Sequence, residues 1–416
     1  MMEEIASEEV LELAYRWLCK QRRDSHANND VWDLRWRWPE IRPILQRRLL
    51  AGTYRFEAVR RYRLPGETVE GWSSPDALVL KAVAIVLSRR LGPHLSGRCY
   101  HLAGRGGAKA AVRDVAQRLS ANTYGFRTDV KRYYAGIDHE ILFSQLQKHI
   151  TDSRVLALLW AYMRRTIYDD GLFEDVTKGI SLGCPLSPLM AALYLKPLDD
   201  AMADGGLFYA RFMDDWVILS PTRWKLRKAI RRVNAILAEL KVQKHPDKTF
   251  IGRISRGFDF LGYTFSSVGL TGIARRTVER FVERAGRLYE QGAGEERIGQ
   301  YVRRWLRWAG MGLGRFDNRR INAAAAEAVS VVGIGRAMQR RPTAALVSAG
   351  GGRPGVRETA QSLWPRDRSG GLSRGRIAWN LSGGRVGRRS NFSGRISSPL
   401  RMLFADLPAV TSEDEA

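Results

Sequence analysis

Cysteine and histidine are scarce in this chain. Three cysteines, Cys19, Cys99 and Cys184, and six histidines are scattered through 416 residues. No pair has the spacing of a zinc site, and no even, clustered set suggests a disulfide framework. A reducing cytoplasm is therefore the expected location. No apolar run approaches the eighteen or so residues of a membrane span, so no membrane partner is expected. The first residues, MMEEIASEEVLELAYRWL, are acidic and then amphipathic, unlike a secretory leader. Acidic residues are also in deficit: 68 Lys and Arg stand against 43 Asp and Glu, a net charge of +25. A chain this basic usually meets a polyanion. Its cations run along the whole length rather than along one amphipathic helix, which favours nucleic acid over membrane.

What is present is a short stretch with an unusual charge arrangement. Tyr209–Ser220, YARFMDDWVILS, sets Asp214 and Asp215 between two runs of β-formers, the pattern of a hairpin with carboxylates at its tip. Two carboxylates about 4 Å apart repel by roughly 4 kcal/mol at an effective dielectric of about 20. A divalent cation relieves that repulsion. Two other acidic pairs serve as controls. Asp169-Asp170 precedes Gly171 and reads as a plain turn, and Asp199-Asp200 reads as a helix end. Only Asp214-Asp215 lies between strand-like runs. A third acid, Asp129, ends another predicted strand within 124–131.

Around these, the chain reads as a helix over 5–20 and a Trp/Arg-interleaved stretch over 31–54, suited either to base stacking or to a core edge covered by arginine stems. A helix follows from Pro39 to Leu50, and a hairpin over 54–72 turns at Pro65-Gly66. Helices are expected at 76–91, from Ala108, and at about 138–149 and 153–167. The glycines at 104, 106 and 107 match no phosphate-loop fingerprint. A glycine turn and helix lie within 177–202. A helix with a very basic face covers 222–241, then a strand over 248–252 and a second hairpin over 257–265. Residues 275–339 are helical and basic. Composition breaks near Arg340. The last 77 residues carry 13 Arg and no Lys, and read as a disordered basic tail.

The spaced motifs resemble those of reverse transcriptases, most closely the group II intron and group II-like bacterial type. TDVKRYYAGIDH (128–139) resembles the motif with the first catalytic aspartate, Asp129, beside Val130 as a backbone metal ligand. Its Tyr134 falls at the steric-gate position that favours dNTPs. GISLGCPLSPLMAALYL (179–195) resembles the template- and dNTP-contacting motif, with Gly183 allowing close backbone approach. FMDD (212–215) resembles the YxDD box. HPDKTFIG (245–252) resembles the next motif, in which Lys248 serves as general acid.

The resemblance implies an α+β right-hand polymerase. An N-terminal helical extension (1–54) precedes fingers (55–120), a palm with an antiparallel sheet and helices (121–274), a helical thumb (275–339) and the tail (340–416). It also implies two Mg²⁺ ions, with Mn²⁺ as an alternative, bound by Asp129, Val130, Asp214 and Asp215. The implied partners are an RNA template, a DNA or RNA primer, dNTPs, and a structured intron or other non-coding RNA. Arg60, Arg61 and Lys81 are candidate triphosphate contacts. Three features depart from the pattern. Ser181-Leu182-Gly183 replaces the usual Pro-Gln-Gly, Phe212 replaces Tyr, and no His/Cys-rich nuclease module is visible. The implied activity is RNA-directed DNA synthesis. A maturase without essential polymerase activity and a defence polymerase making untemplated DNA are the alternatives.

Overall fold

In the computed structural model, residues 1–64 and 67–310 are described. The fold is a mixture of helices and three small sheets, as expected for α+β. Four helices open the chain: α1 (Met2–Ile5), α2 (Glu8–Gln21), α3 (Val31–Trp36) and α4 (Trp38–Leu50). The helix expected over 5–20 breaks at Ala6. Ser7 caps α2 by accepting the Val10 N–H, satisfying one of the unpaired donors at a helix start. Trp38 is buried and stacks on Tyr15 of α2, so this Trp belongs to the core. Trp36 is 87% exposed.

Strands β1 (Val59–Leu64) and β2 (Glu67–Gly71) form the predicted hairpin, whose Pro65-Gly66 turn lies outside the described residues. Ser73 caps α5 (Ser74–Leu91), with Pro75 in its first turn. This helix is buried on nearly every side, the pattern of a core helix rather than a surface one. Helices α1 and α2 cover it and share its core with the central sheet. Helix α6 (Gly107–Arg118) follows.

The central sheet has the order β6-β7-β3-β8, all antiparallel: β3 (Tyr124–Asp129), β6 (Phe208–Phe212), β7 (Asp215–Ser220) and β8 (Phe250–Arg253). Between β3 and β6 lie α7 (Tyr133–Gly136), α8 (His139–Gln147), α9 (Ser153–Met163), β4 (Thr166–Asp169), β5 (Leu172–Asp175), α10 (Ser187–Tyr194) and α11 (Lys196–Asp204). The helix expected over 153–167 ends at Met163. Strand β4 leaves it and pairs in parallel with β1, so that β2-β1-β4-β5 make one sheet. Asp170 and Gly171 turn this hairpin at positive φ, as the control reading of Asp169-Asp170 expected. Asp169 itself pairs with Arg61 and Arg63.

Helix α12 (Arg223–Glu239) covers one face of the central sheet. A three-stranded sheet of β9 (Phe258–Phe260), β10 (Tyr263–Ser266) and β11 (Gly269–Ile273) follows, extending the predicted second hairpin by one strand. Helices α13 (Arg275–Glu290) and α14 (Glu295–Gly310) end the described chain. The end of the helical stretch expected over 275–339 and the tail 340–416 lie outside the described residues.

Candidate active site

Two antiparallel pairings build the site. Phe212 faces Asp215 across β6–β7, so Met213-Asp214 form a two-residue turn. Asp129 faces Asp215 across β3–β7. The three acids therefore meet at one end of the sheet, as the sequence predicted. Side chains alternate along a strand, so Arg127 shares a face with Asp129, and it lies opposite Val217.

Cations already hold two of the carboxylates. Lys248 Nζ donates to Asp129 Oδ2 at 2.5 Å, and Arg127 Nη2 donates to Asp215 Oδ2 at 3.1 Å. Arg127 Nη1 also donates to the Lys248 carbonyl at 2.8 Å, tying the Lys248 turn to β3. The second oxygens, Asp129 Oδ1 and Asp215 Oδ1, are buried without a partner. Burial, with added repulsion from Asp129, pushes Asp214 up to about 6. Burial and the Asp214 charge push Asp215 up to about 7, although Arg127 opposes the shift. Among the described residues, no three His, Cys, Asp or Glu side chains already converge as a metal cage. The set nevertheless fits a hard cation, because orphaned, acid-only oxygen donors are what Mg²⁺ binds.

The turn that carries Asp214 is clamped on both sides. Met213 has φ +57, a left-handed conformation that side-chain-bearing residues adopt only when surroundings fix it. Its N–H donates to His101 Nδ1 at 3.0 Å, and its carbonyl accepts from Arg211 Nη1 at 2.8 Å. Tyr134 OH donates to its sulfur at 3.6 Å. Accepting at Nδ1 fixes the His101 tautomer, so Nε2–H donates to the Pro188 carbonyl, 3.2 Å away. His101 therefore links the acidic turn to the start of α10. Burial, with the Arg211 charge, pushes His101 down to about 3, so it stays neutral. Arg211 is itself fully buried against Asp199, with Nε–Oδ1 at 2.8 Å and Nη2–Oδ2 at 2.5 Å. Asp199 also accepts from Tyr209 OH at 2.8 Å. The helix-end reading of Asp199-Asp200 is corrected here: Asp199 is a buried counter-ion inside α11.

The remaining predicted residues divide into those near the turn and those elsewhere. Burial and the Asp214 charge push Tyr134 up, and its hydroxyl on the Met213 sulfur sets it against the acidic turn. Its carbonyl accepts from Ile180 N–H at 2.8 Å. Gly179 sits at φ +89, and a Cβ there would lie 2.9 Å from Ala135 Cα, so only glycine lets this loop seat on α7. Gly183 sits at φ +94, facing Val69 of β2. Val130 is buried. The antiparallel bridge beside it uses the Asp129 carbonyl and the Lys131 N–H, and leaves the Val130 carbonyl unused.

Arg60 is exposed on β1. Arg61 is engaged by Asp169 and Glu174. Lys81 is the clear correction. Its Nζ lies 5.1 Å from the Trp17 ring, and burial lowers its pKa. It lies beneath Trp17 of α2. Arg127, His101 and Arg211 were not anticipated. For Arg127 the available signal was its position two residues before Asp129 on one strand. For Arg211 it was the parity with buried Tyr209.

Residues 78–265 match the family described as reverse transcriptase (RNA-dependent DNA polymerase). The chain is similar to Protein YkfC of Escherichia coli (strain K12), 23% identical over 267 residues, 53% of this chain and 70% of that protein. It is also similar to Group II intron-encoded protein LtrA of Lactococcus lactis subsp. cremoris, 22% identical over 208 residues, 49% of this chain and 34% of that protein. The Putative COX1/OXI3 intron 1 protein of Saccharomyces cerevisiae is 20% identical over 217 residues, 50% of this chain and 26% of that protein. The match thus spans only about a quarter to a third of the two intron-encoded proteins.

Proposed function

We propose that the reverse transcriptase domain at residues 78–265 is an active RNA-directed DNA polymerase that adds dNTPs to a primer 3′-hydroxyl on an RNA template. The observation that carries this reading is the register of Asp129 against Asp215, with Asp214 in the adjoining turn and two orphaned carboxylate oxygens between them. Asp129, Asp214, Asp215 and the free Val130 carbonyl would hold two Mg²⁺ ions, or Mn²⁺. Bound there, the ions would activate the 3′-hydroxyl and neutralise the charge gathering on the triphosphate.

The protein's own side chains do the rest. With Asp129 engaged by a bound cation, Lys248 would be free to give its proton to the departing pyrophosphate. Arg127 keeps Asp215 aligned. Tyr134, wedged against Met213, would exclude a ribose 2′-hydroxyl. In this reading β3 and β6 to β11 with their helices are the palm, and β1-β2 with α5 and α6 are the fingers, to which β4-β5 add. Helices α13 and α14 begin the thumb. Of the triphosphate candidates, Arg60 is exposed and has no acidic partner among the described residues, so it is the one retained.

Primer extension on an RNA template with Mg²⁺ tests the proposal. The wild-type chain should extend the primer and Asp214→Ala should not, while both bind the template. A second reading, an intron-folding protein, is favoured by the similarity to intron-encoded relatives. It predicts RNA binding and splicing help from both proteins and extension from neither.

A further inference from the structure

Helix α12 lies on the reverse of the central sheet. Val217 and Leu219, which share the parity of Asp215, pack into the cluster with β9, β10 and α14. Trp216 and Ile218, of opposite parity, pack with Leu226, Val233 and Ile236 of α12. Alternation along β7 thus sets α12 and the acids on opposite faces. The outward side of α12 points away from both.

That outward side is cationic without compensation. Arg223, Lys225, Arg227, Lys228, Arg231 and Arg232 are all exposed. None forms an ion pair among the described residues, whereas exposed arginines on other helices do: Arg16 with Glu12, Arg275 with Glu279, and Arg287 with Glu283. The one acid on α12 is Glu239, in its last turn. The neighbouring acids of α11 are largely committed, Asp199 to Arg211 and Asp200 to Lys196, leaving Asp204. Trp224 stands among the cations, 73% exposed, with the Arg227 guanidinium 5.2 Å from its ring centroid. From Arg223 to Arg232 the axis advances about 14 Å. Over that length a duplex presents about eight phosphates at one per ~1.7 Å, half of them on the near strand.

We propose that this face docks the phosphate backbone of a folded RNA other than the template–primer duplex held at the acids, with Trp224 stacking on an unpaired base beside it. Membrane is the poorer fit. An interfacial helix buries its apolar side in lipid, and the apolar side of α12 is already in the core. The inference rests on the polymerase reading only for where the template lies.

The test uses the full chain and a labelled RNA hairpin of about 20 base pairs with a blocked 3′ end, titrated across about 50–200 mM salt. Replacing Arg223, Arg227, Lys228 and Arg231 together with Ala should lower the salt slope by about 3, at 0.7–0.9 per phosphate contact. Hairpin binding at physiological salt should weaken at least tenfold, with the melting temperature unchanged. Extension of a short preannealed primer–template should stay at the wild-type rate. Trp224→Ala should weaken binding without changing the slope. An unchanged slope would overturn the proposal. So would a loss of extension in step with binding, or an equal loss of binding to phosphatidylserine vesicles with hairpin binding intact. A wild-type chain that binds the hairpin through this face but extends nothing would sink the polymerase reading alone.

Discussion

Asp199→Asn probes the foundation of the acidic turn. Arg211 is wholly buried, and Asp199 receives two of its donors. Burial lowers the guanidinium pKa, and the Asp199 charge more than offsets that, holding it well above its ordinary value. A guanidinium is not deprotonated inside a protein, so Arg211 remains a cation when its partner is neutralised. A buried charge stripped of its counter-ion costs about 3–5 kcal/mol. With an unfolding entropy of about 2 cal/mol/K per residue over roughly 300 residues, that is a fall of about 5–8 °C in melting temperature. Thermal denaturation followed by circular dichroism reads it directly.

A second variant separates stability from positioning. Asp199→Leu, Tyr209→Phe and Arg211→Met together remove the polar cluster, and apolar replacement of a buried pair is often close to neutral. The melting temperature should largely recover. The Met213 carbonyl, however, loses its donor, and a lost hydrogen bond of about 1–2 kcal/mol corresponds to a five- to thirtyfold slower extension rate. An unchanged melting temperature for Asp199→Asn would refute the buried-pair argument. A triple variant with the wild-type extension rate would show that Arg211 only fills space.

Protonation offers an independent check. The raised values of Asp214 and Asp215 mean that the folded apo site is penalised as pH climbs through 4 towards 7. Asp215→Asn should therefore stabilise the fold in EDTA at pH 8 by on the order of 2–4 kcal/mol, seen as a higher melting temperature, and the difference should vanish below pH 4. By the same linkage, Mg²⁺ should stabilise the wild-type chain more at pH 8 than at pH 6, with proton release detectable by calorimetry in buffers of different ionisation enthalpy. His101→Ala should slow extension while leaving RNA affinity intact, and His101→Asn should recover part of the rate. Tyr134→Ala should raise the use of NTP relative to dNTP in single-nucleotide incorporation. A wild-type chain that already uses both equally would dispose of the gate.

The acids were legible because their signals are local. A strand end, a tight turn and two flanking runs of β-formers suffice to find Asp129, Asp214 and Asp215. The order of the elements followed from periodicity, and most helices fell within a few residues of prediction. What escaped depends on partners distant in sequence. Strand β4 follows α9 almost without a break, and its pairing with β1 spans more than a hundred residues. Lys81 could be placed on a helix, but nothing in its own segment says that Trp17 covers it. Asp199 reads as a helix end because an apolar helical pattern stops there. Its burial is decided by Arg211, an inward position of a strand twelve residues later.

Lys248 and Arg127 explain how a site of three clustered acids exists in a folded chain at all. Each occupies one oxygen of one carboxylate and leaves the other oxygen unpartnered. The two cations are not equivalent. Arg127 is anchored twice over, to Asp215 and to the Lys248 carbonyl. Lys248 holds Asp129 through a single flexible stem, and its side chain is a third exposed. A cation bound at the proposed site would displace Lys248 sooner than Arg127, since one exposed ammonium contact is cheaper to exchange than a doubly fixed guanidinium. Asp129 would then be the acid released, and Asp215 the one that stays oriented. Lys248→Met should accordingly strengthen Mg²⁺ binding while slowing extension, an opposition that a purely structural lysine would not produce.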